Sequence, residues 1–84
     1  MWKVRCTDPS GEILIYNIEN AENVYDAAEQ GCEMHYESCH WCYESIPDVI
    51  SVDVLFFDNE TWLEVVVNIK TTRSYHALGI VGFD

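Results

Sequence analysis

The stretch AENVYDAAEQGCEMHYESCHWCYESI, Ala21 to Ile46, decides the fold. At a step of about 100° per residue, Ala21, Val24, Ala28, Cys32, His35, Cys39, Cys42 and Ile46 fall on one side, with Tyr25 and Tyr43 on its flank. Glu22, Asp26, Glu29, Glu33, Glu37 and Glu44 fall within an arc of about 80° on the other. The two faces stay in phase through Gly31, although glycine costs a helix interior roughly 1 kcal/mol relative to alanine. One long helix is therefore expected from Ala21 to about Ser45. Asn20 is its expected N-cap, and Glu22 lies in the first turn, where the helix dipole favours a carboxylate. Pro47 ends it, because the residue before a proline is pushed out of helical geometry. A break or kink near Gly31 is the alternative, since the second half is rich in Cys, His, Ser and aromatic residues, which are mediocre helix formers.

On either side of this helix the period changes from 3.6 to 2. Trp2, Val4 and Cys6 alternate with Lys3, Arg5 and Thr7 as in a strand. Asp8-Pro9-Ser10-Gly11 has the residue order of a type I turn, and Glu12 to Ile18 returns as the second strand of a hairpin. After the helix, Val49 to Phe57 is rich in β-branched and aromatic residues. Asp58-Asn59-Glu60 turns the chain. Thr61 to Ile69 follows as a strand with Leu63, Val65, Val67 and Ile69 on one face and Trp62, Glu64, Val66 and Asn68 on the other. Thr72 to Val81 supplies a last strand. The expectation is one domain over residues 1–84, of α+β class and order ββαβββ. A largely antiparallel sheet of four to five strands carries the helix on one face in two layers.

Composition narrows the function classes. The N-terminus MWKVRC lacks the long apolar run of a secretory leader. No stretch approaches the roughly 20 apolar residues of a membrane span. Cys6, Cys32, Cys39 and Cys42 are then expected to be reduced thiols in the cytoplasm. The formal net charge is −11, from fifteen acidic and four basic residues. All four bases, Lys3, Arg5, Lys70 and Arg73, lie near the ends of the chain. Fourteen of the fifteen carboxylates fall between Cys6 and Ile69, where there is no Lys or Arg. Such a field repels nucleic acid and anionic membranes and speeds encounter with basic surfaces.

The segment Cys32 to Cys42 holds three cysteines and two histidines. As a metal site, Cys32, His35, Cys39 and Cys42 have the chemistry for tetrahedral zinc. On a helix, however, ten residues rise about 15 Å, too far for bonds of about 2.0–2.3 Å to one ion. A thioredoxin-like Cys-x-x-Cys needs a helix N-terminus to lower its thiol pKa. Cys39 and Cys42 sit instead near a helix C-terminus, between Glu37 and Glu44, where charge raises it. The remaining reading is packing, with the cysteines as small buried hydrophobes and His35 as a hydrogen-bonded core residue. No metal or other cofactor is expected, and zinc on the four named residues stands as the alternative.

The carboxylate arc is the better place to look for function. It has no cleft to push paired carboxylates apart in pKa. There is also no phosphate-cradling glycine loop and no nucleophile motif, so enzyme activity is not expected. From Glu22 to Glu37 the acids are spaced about 4.5–6 Å apart along a helix axis. That line is sparser than, but comparable to, the phosphates of one DNA strand at about 3.4 Å. Glu22, Asp26, Glu29, Glu33, Glu37 and Glu44 are therefore the expected partner-binding residues, all on the outward face. The expected partner is a protein with a basic nucleic-acid-binding surface, with no direct binding of nucleic acid or membrane.

In size, charge and compact α+β layout the whole chain resembles small phage-encoded inhibitors of bacterial defence, the anti-CRISPR and DNA-mimic antirestriction proteins. The resemblance rests on overall character and on no diagnostic motif. It implies binding to a nucleoprotein or nuclease complex in the host cytoplasm and blocking its nucleic-acid site. A structural or assembly protein that forms a homodimer through its sheet, around Trp62 and Glu64 or along an edge, is the other alternative.

Overall fold

The computed structural model describes residues 1–7, 11–38, 49–56, 60–70 and 74–83. Along the chain lie β1 (Trp2–Thr7), β2 (Ile13–Ile18), α1 (Val24–Ser38), β3 (Val49–Phe56), β4 (Leu63–Lys70) and β5 (Ser74–Phe83). The strands form one sheet in the spatial order β2-β1-β3-β4-β5, and every neighbouring pair is antiparallel. The chain is thus an α+β protein with one helix, among the described residues, laid on a five-stranded antiparallel sheet.

Alternation decides which face is covered. Val4, Cys6, Ile18, Val52, Val54, Val65, Val67 and Tyr75 are buried on the helix side of the sheet. They meet Ala27, Ala28 and Cys32 of α1. β1 lies between β2 and β3 and is antiparallel to both. The helix is therefore the crossover that joins two mutually parallel strands, as such a connection requires. α1 touches all five strands. Gly11 at the start of the second hairpin arm has φ of 91°, a left-handed conformation that glycine adopts at no steric cost. Asp8, Pro9 and Ser10, the rest of the expected turn, lie outside the described residues, as do Asp58 and Asn59.

The helix runs unbroken through Gly31, but it begins three residues later than its periodicity suggests. Asn23, not Asn20, is the cap. Its Oδ1 accepts the Asp26 backbone N–H at 2.9 Å, and its carbonyl accepts the Ala27 N–H at 3.0 Å. Asp26 reaches back to accept the Glu22 N–H at 3.1 Å. This resembles a capping box, except that the acid three residues after the cap takes the amide of Glu22, one residue before Asn23, and not that of Asn23 itself. Asn20 instead accepts the Gln30 side-chain N–H through its carbonyl at 3.4 Å. Glu22 thus precedes the helix and is not in its first turn. Residues 39–45, the expected last turns, lie outside the described residues.

Gly31 is buried, and a Cβ built on it would sit 2.4–2.8 Å from Cβ and both γ-carbons of Val4. The helix backbone therefore rests directly on the Val4 side chain. The buried face of α1 is centred between Val24, Ala28 and His35 on one flank and Ala27 and Gly31 on the other. Ala27 and Gly31 are core positions that the hydrophobic pattern alone leaves out.

Candidate functional site

The outward side of α1 is reached by building each acid from its position. Glu22 is exposed at the approach to the helix, and Glu33 is exposed on its outer surface. Asp26 is half-buried and already used. Its Oδ2 accepts both the Glu22 amide and the Gln30 side chain, the latter at 3.2 Å. Glu29 departs furthest from the expected stripe. It is half-buried, and its Oε2 accepts the backbone N–H of Ala77 in β5 at 2.7 Å. On the helical wheel Glu29 lies about 40° from Glu33 toward the packed side, which brings it within reach of the sheet edge. A carboxylate on a backbone amide is a charge-assisted bond, so Glu29 is a strut between helix and sheet. The expectation of six equivalent outward acids is corrected to this extent. The side chain of Glu37, and all of Glu44, lie outside the described residues.

The cysteine-rich stretch contributes Cys32 and His35 to the described interior. Both are buried, one helical turn apart. His35 Nδ1 pairs with the Tyr16 hydroxyl at 2.9 Å, and the two rings meet edge to face at 5.7 Å. Among the described residues no three His, Cys, Asp or Glu side chains group as a metal site. Cys39 and Cys42, the other two candidate zinc ligands, lie outside those residues.

Burial pushes the Cys32 thiol well above its ordinary 9.0, and the neighbouring Cys6 and Glu29 push it further. The folded state therefore holds Cys32 neutral where the unfolded chain ionises. This leaves stability unchanged below about pH 9 and lowers it as pH rises above, by up to about 1.4 kcal/mol per pH unit. Urea unfolding at pH 7.5 and 10 should show this loss, reduced in Cys32→Ala. Rapid alkylation of Cys32 in the native protein at neutral pH would contradict it.

Two further clusters were not foreseen. On the sheet face away from α1, Arg5 Nε and Nη2 both donate to Asp53 Oδ2 at 3.0 Å. The same guanidinium stands 4.3 Å from the centroid of the Trp62 ring. On the helix side, a cleft of about 570 Å³ opens beside the start of α1, lined by Trp2, Glu22, Asn23, Phe56, Thr61 and Leu63. Trp2 and Phe56 are cross-strand partners in the β1–β3 register, with ring centroids 4.6 Å apart at 64°. Trp2 is anchored by its indole N–H, which donates to the Ala21 carbonyl at 3.3 Å. The only signal for this pair in the sequence is aromatic content, because it forms only when strands distant in sequence become neighbours.

No described helix is long and apolar enough to cross a membrane. Compared with protein-family models, with curated proteins and with solved structures, the chain matches none.

Proposed function

We propose that this chain is a non-enzymatic inhibitor that occupies the basic surface of a nucleic-acid-binding protein or nuclease complex. It acts in the manner of the small phage-encoded inhibitors it resembles, within the host cytoplasm. The observation that carries the reading is the separation of charge. α1 contains no Lys or Arg, Glu33 is exposed on its outer surface, and Glu22 is exposed just before its start. Arg5, by contrast, is held on the opposite sheet face by Asp53 and Trp62. A surface acidic on one side and partly neutralised on the other favours docking of the helix side against a basic groove. The test immobilises the protein, captures a partner at low salt, and titrates the captured complex with a DNA duplex of random sequence. Mutual exclusion between DNA and this protein is expected. A partner that binds both at once with undiminished affinity contradicts the reading.

A second reading, assembly through the sheet, has its own observation. The edge strand β5 exposes Leu78, Ile80 and Val81, at 60%, 41% and 61%. Unprotected edges invite pairing with another chain. β5 is blunted, however, by register shifts against β4 and by the Glu29 carboxylate on the Ala77 amide. Sedimentation of the purified protein across a hundredfold concentration range separates the readings: a monomer throughout removes the second.

A further inference from the structure

The cleft beside the start of α1 contains the same recognition elements that the protein already uses internally for a guanidinium. Arg5 is held between an indole ring, Trp62 at 4.3 Å, and a carboxylate, Asp53 at 3.0 Å. On the other face of the sheet, the cleft is lined by the indole of Trp2, the Phe56 ring set at 64° to it, and the exposed acid Glu22. None of the described residues lining this cleft is a Lys or Arg. We infer that the Trp2–Phe56–Glu22 cleft is a socket for an arginine side chain projecting from the basic surface of a protein partner. The inference rests on the functional reading above and names the anchor point within it.

The chemistry favours arginine over other occupants. A planar guanidinium can lie on an aromatic face while its N–H fork meets a carboxylate. The cleft, about 570 Å³, accepts the aliphatic stem, which packs on apolar walls such as Leu63 and Phe56. The positive end of the helix dipole lies nearby and opposes a cation. The Asp26 carboxylate, bonded to the Glu22 amide at that end, offsets it. The Trp2 indole N–H is satisfied by the Ala21 carbonyl, so the ring is fixed in place before any ligand arrives. Pre-set rings lose little conformational freedom on binding, which favours their use as anchors.

The probe is the blocked tripeptide acetyl-Gly-Arg-Gly-amide, titrated into the intact ¹⁵N-labelled protein and followed by the three indole N–H resonances. Its control is the same tripeptide with citrulline, which is near-isosteric and uncharged. The Trp2 indole should shift saturably. The Trp62 indole should not, since its face is already covered by Arg5. Phe56→Leu, which keeps apolar bulk and removes the ring, should weaken binding by about threefold or more, and Glu22→Gln by a similar factor. Phe56 is 39% exposed, and an unchanged far-UV spectrum verifies the fold of each variant. The citrulline peptide should bind about tenfold more weakly than the arginine peptide. Absence of a saturable Trp2 shift, equal binding of the two peptides, or full affinity in Phe56→Leu would each overturn the socket. Phe56→Leu alters no charge, so the two readings fail separately. A captured partner that binds Phe56→Leu as tightly as wild type removes the socket alone. A peptide that docks at Trp2 in a protein whose captured partners do not exclude DNA leaves the socket and removes the inhibitor.

Discussion

Replacing Gly31 with alanine should destabilise the protein by about 1–3 kcal/mol, although alanine is the better helix former by roughly 1 kcal/mol. The added methyl would lie 2.4–2.8 Å from three carbons of Val4, well inside van der Waals contact. Val4 cannot withdraw, because β1 is paired on both sides, Val4 with Tyr16 in β2 and with Val54 in β3. The helix must lift instead. Lifting it would loosen the packing of Ala27, Ala28 and Cys32, all fully buried, and would strain the Glu29 bond to Ala77. For a domain of this size each kcal/mol corresponds to about 4–8 °C in Tm, so thermal melting followed by circular dichroism reads the effect directly. Val4→Ala combined with Gly31→Ala should recover part of the loss by making room. An unchanged or raised Tm in Gly31→Ala would mean that the helix does not rest on Val4.

Gly31 also illustrates how far the sequence could be read. The two-faced phase of residues 21–46 revealed a helix and carried it through the glycine. It registered Gly31 only as a cost in propensity, because the reason for the glycine is a strand residue distant in sequence. The strands were legible from their period of two. The helix face of β4, with Val65 and Val67 buried and Leu63 and Ile69 partly so, follows from alternation alone. The helix start was not legible, since both Asn20 and Asn23 are good caps and the Asp26 side chain decides between them. The spatial order of the strands, with β1 between β2 and β3, depends on tertiary pairing that no local pattern encodes. The same holds for the site. Glu33 stands where the wheel puts it. Glu29 is drawn inward by a backbone amide of β5 whose position only the folded sheet defines. The Trp2–Phe56 pair exists only because β1 and β3 are neighbours.

Neutralising the exposed Glu22 and Glu33 together with Glu37, the next acid of the helical pattern, as Glu22→Gln, Glu33→Gln and Glu37→Gln in one chain, should weaken binding to the basic partner by at least roughly tenfold, which corresponds to about 1.4 kcal/mol. A single change is a poor probe, because an exposed ion pair is worth only about 0.2–1 kcal/mol, whereas pairs desolvated at an interface are worth more. Glu29 and Asp26 are left intact because they hold Ala77 and the helix start, so a loss of affinity reports recognition and not folding. Screening acts on the same charges. The Debye length falls from about 30 Å at 0.01 M to about 10 Å at 0.1 M ionic strength, and wild-type affinity should fall with it. The deciding measurement is the Kd for the captured partner, for wild type and the triple variant, at those two ionic strengths. The account predicts weaker binding by the variant at low salt and a shallower salt dependence. Equal affinity and equal salt dependence in the two proteins would contradict it.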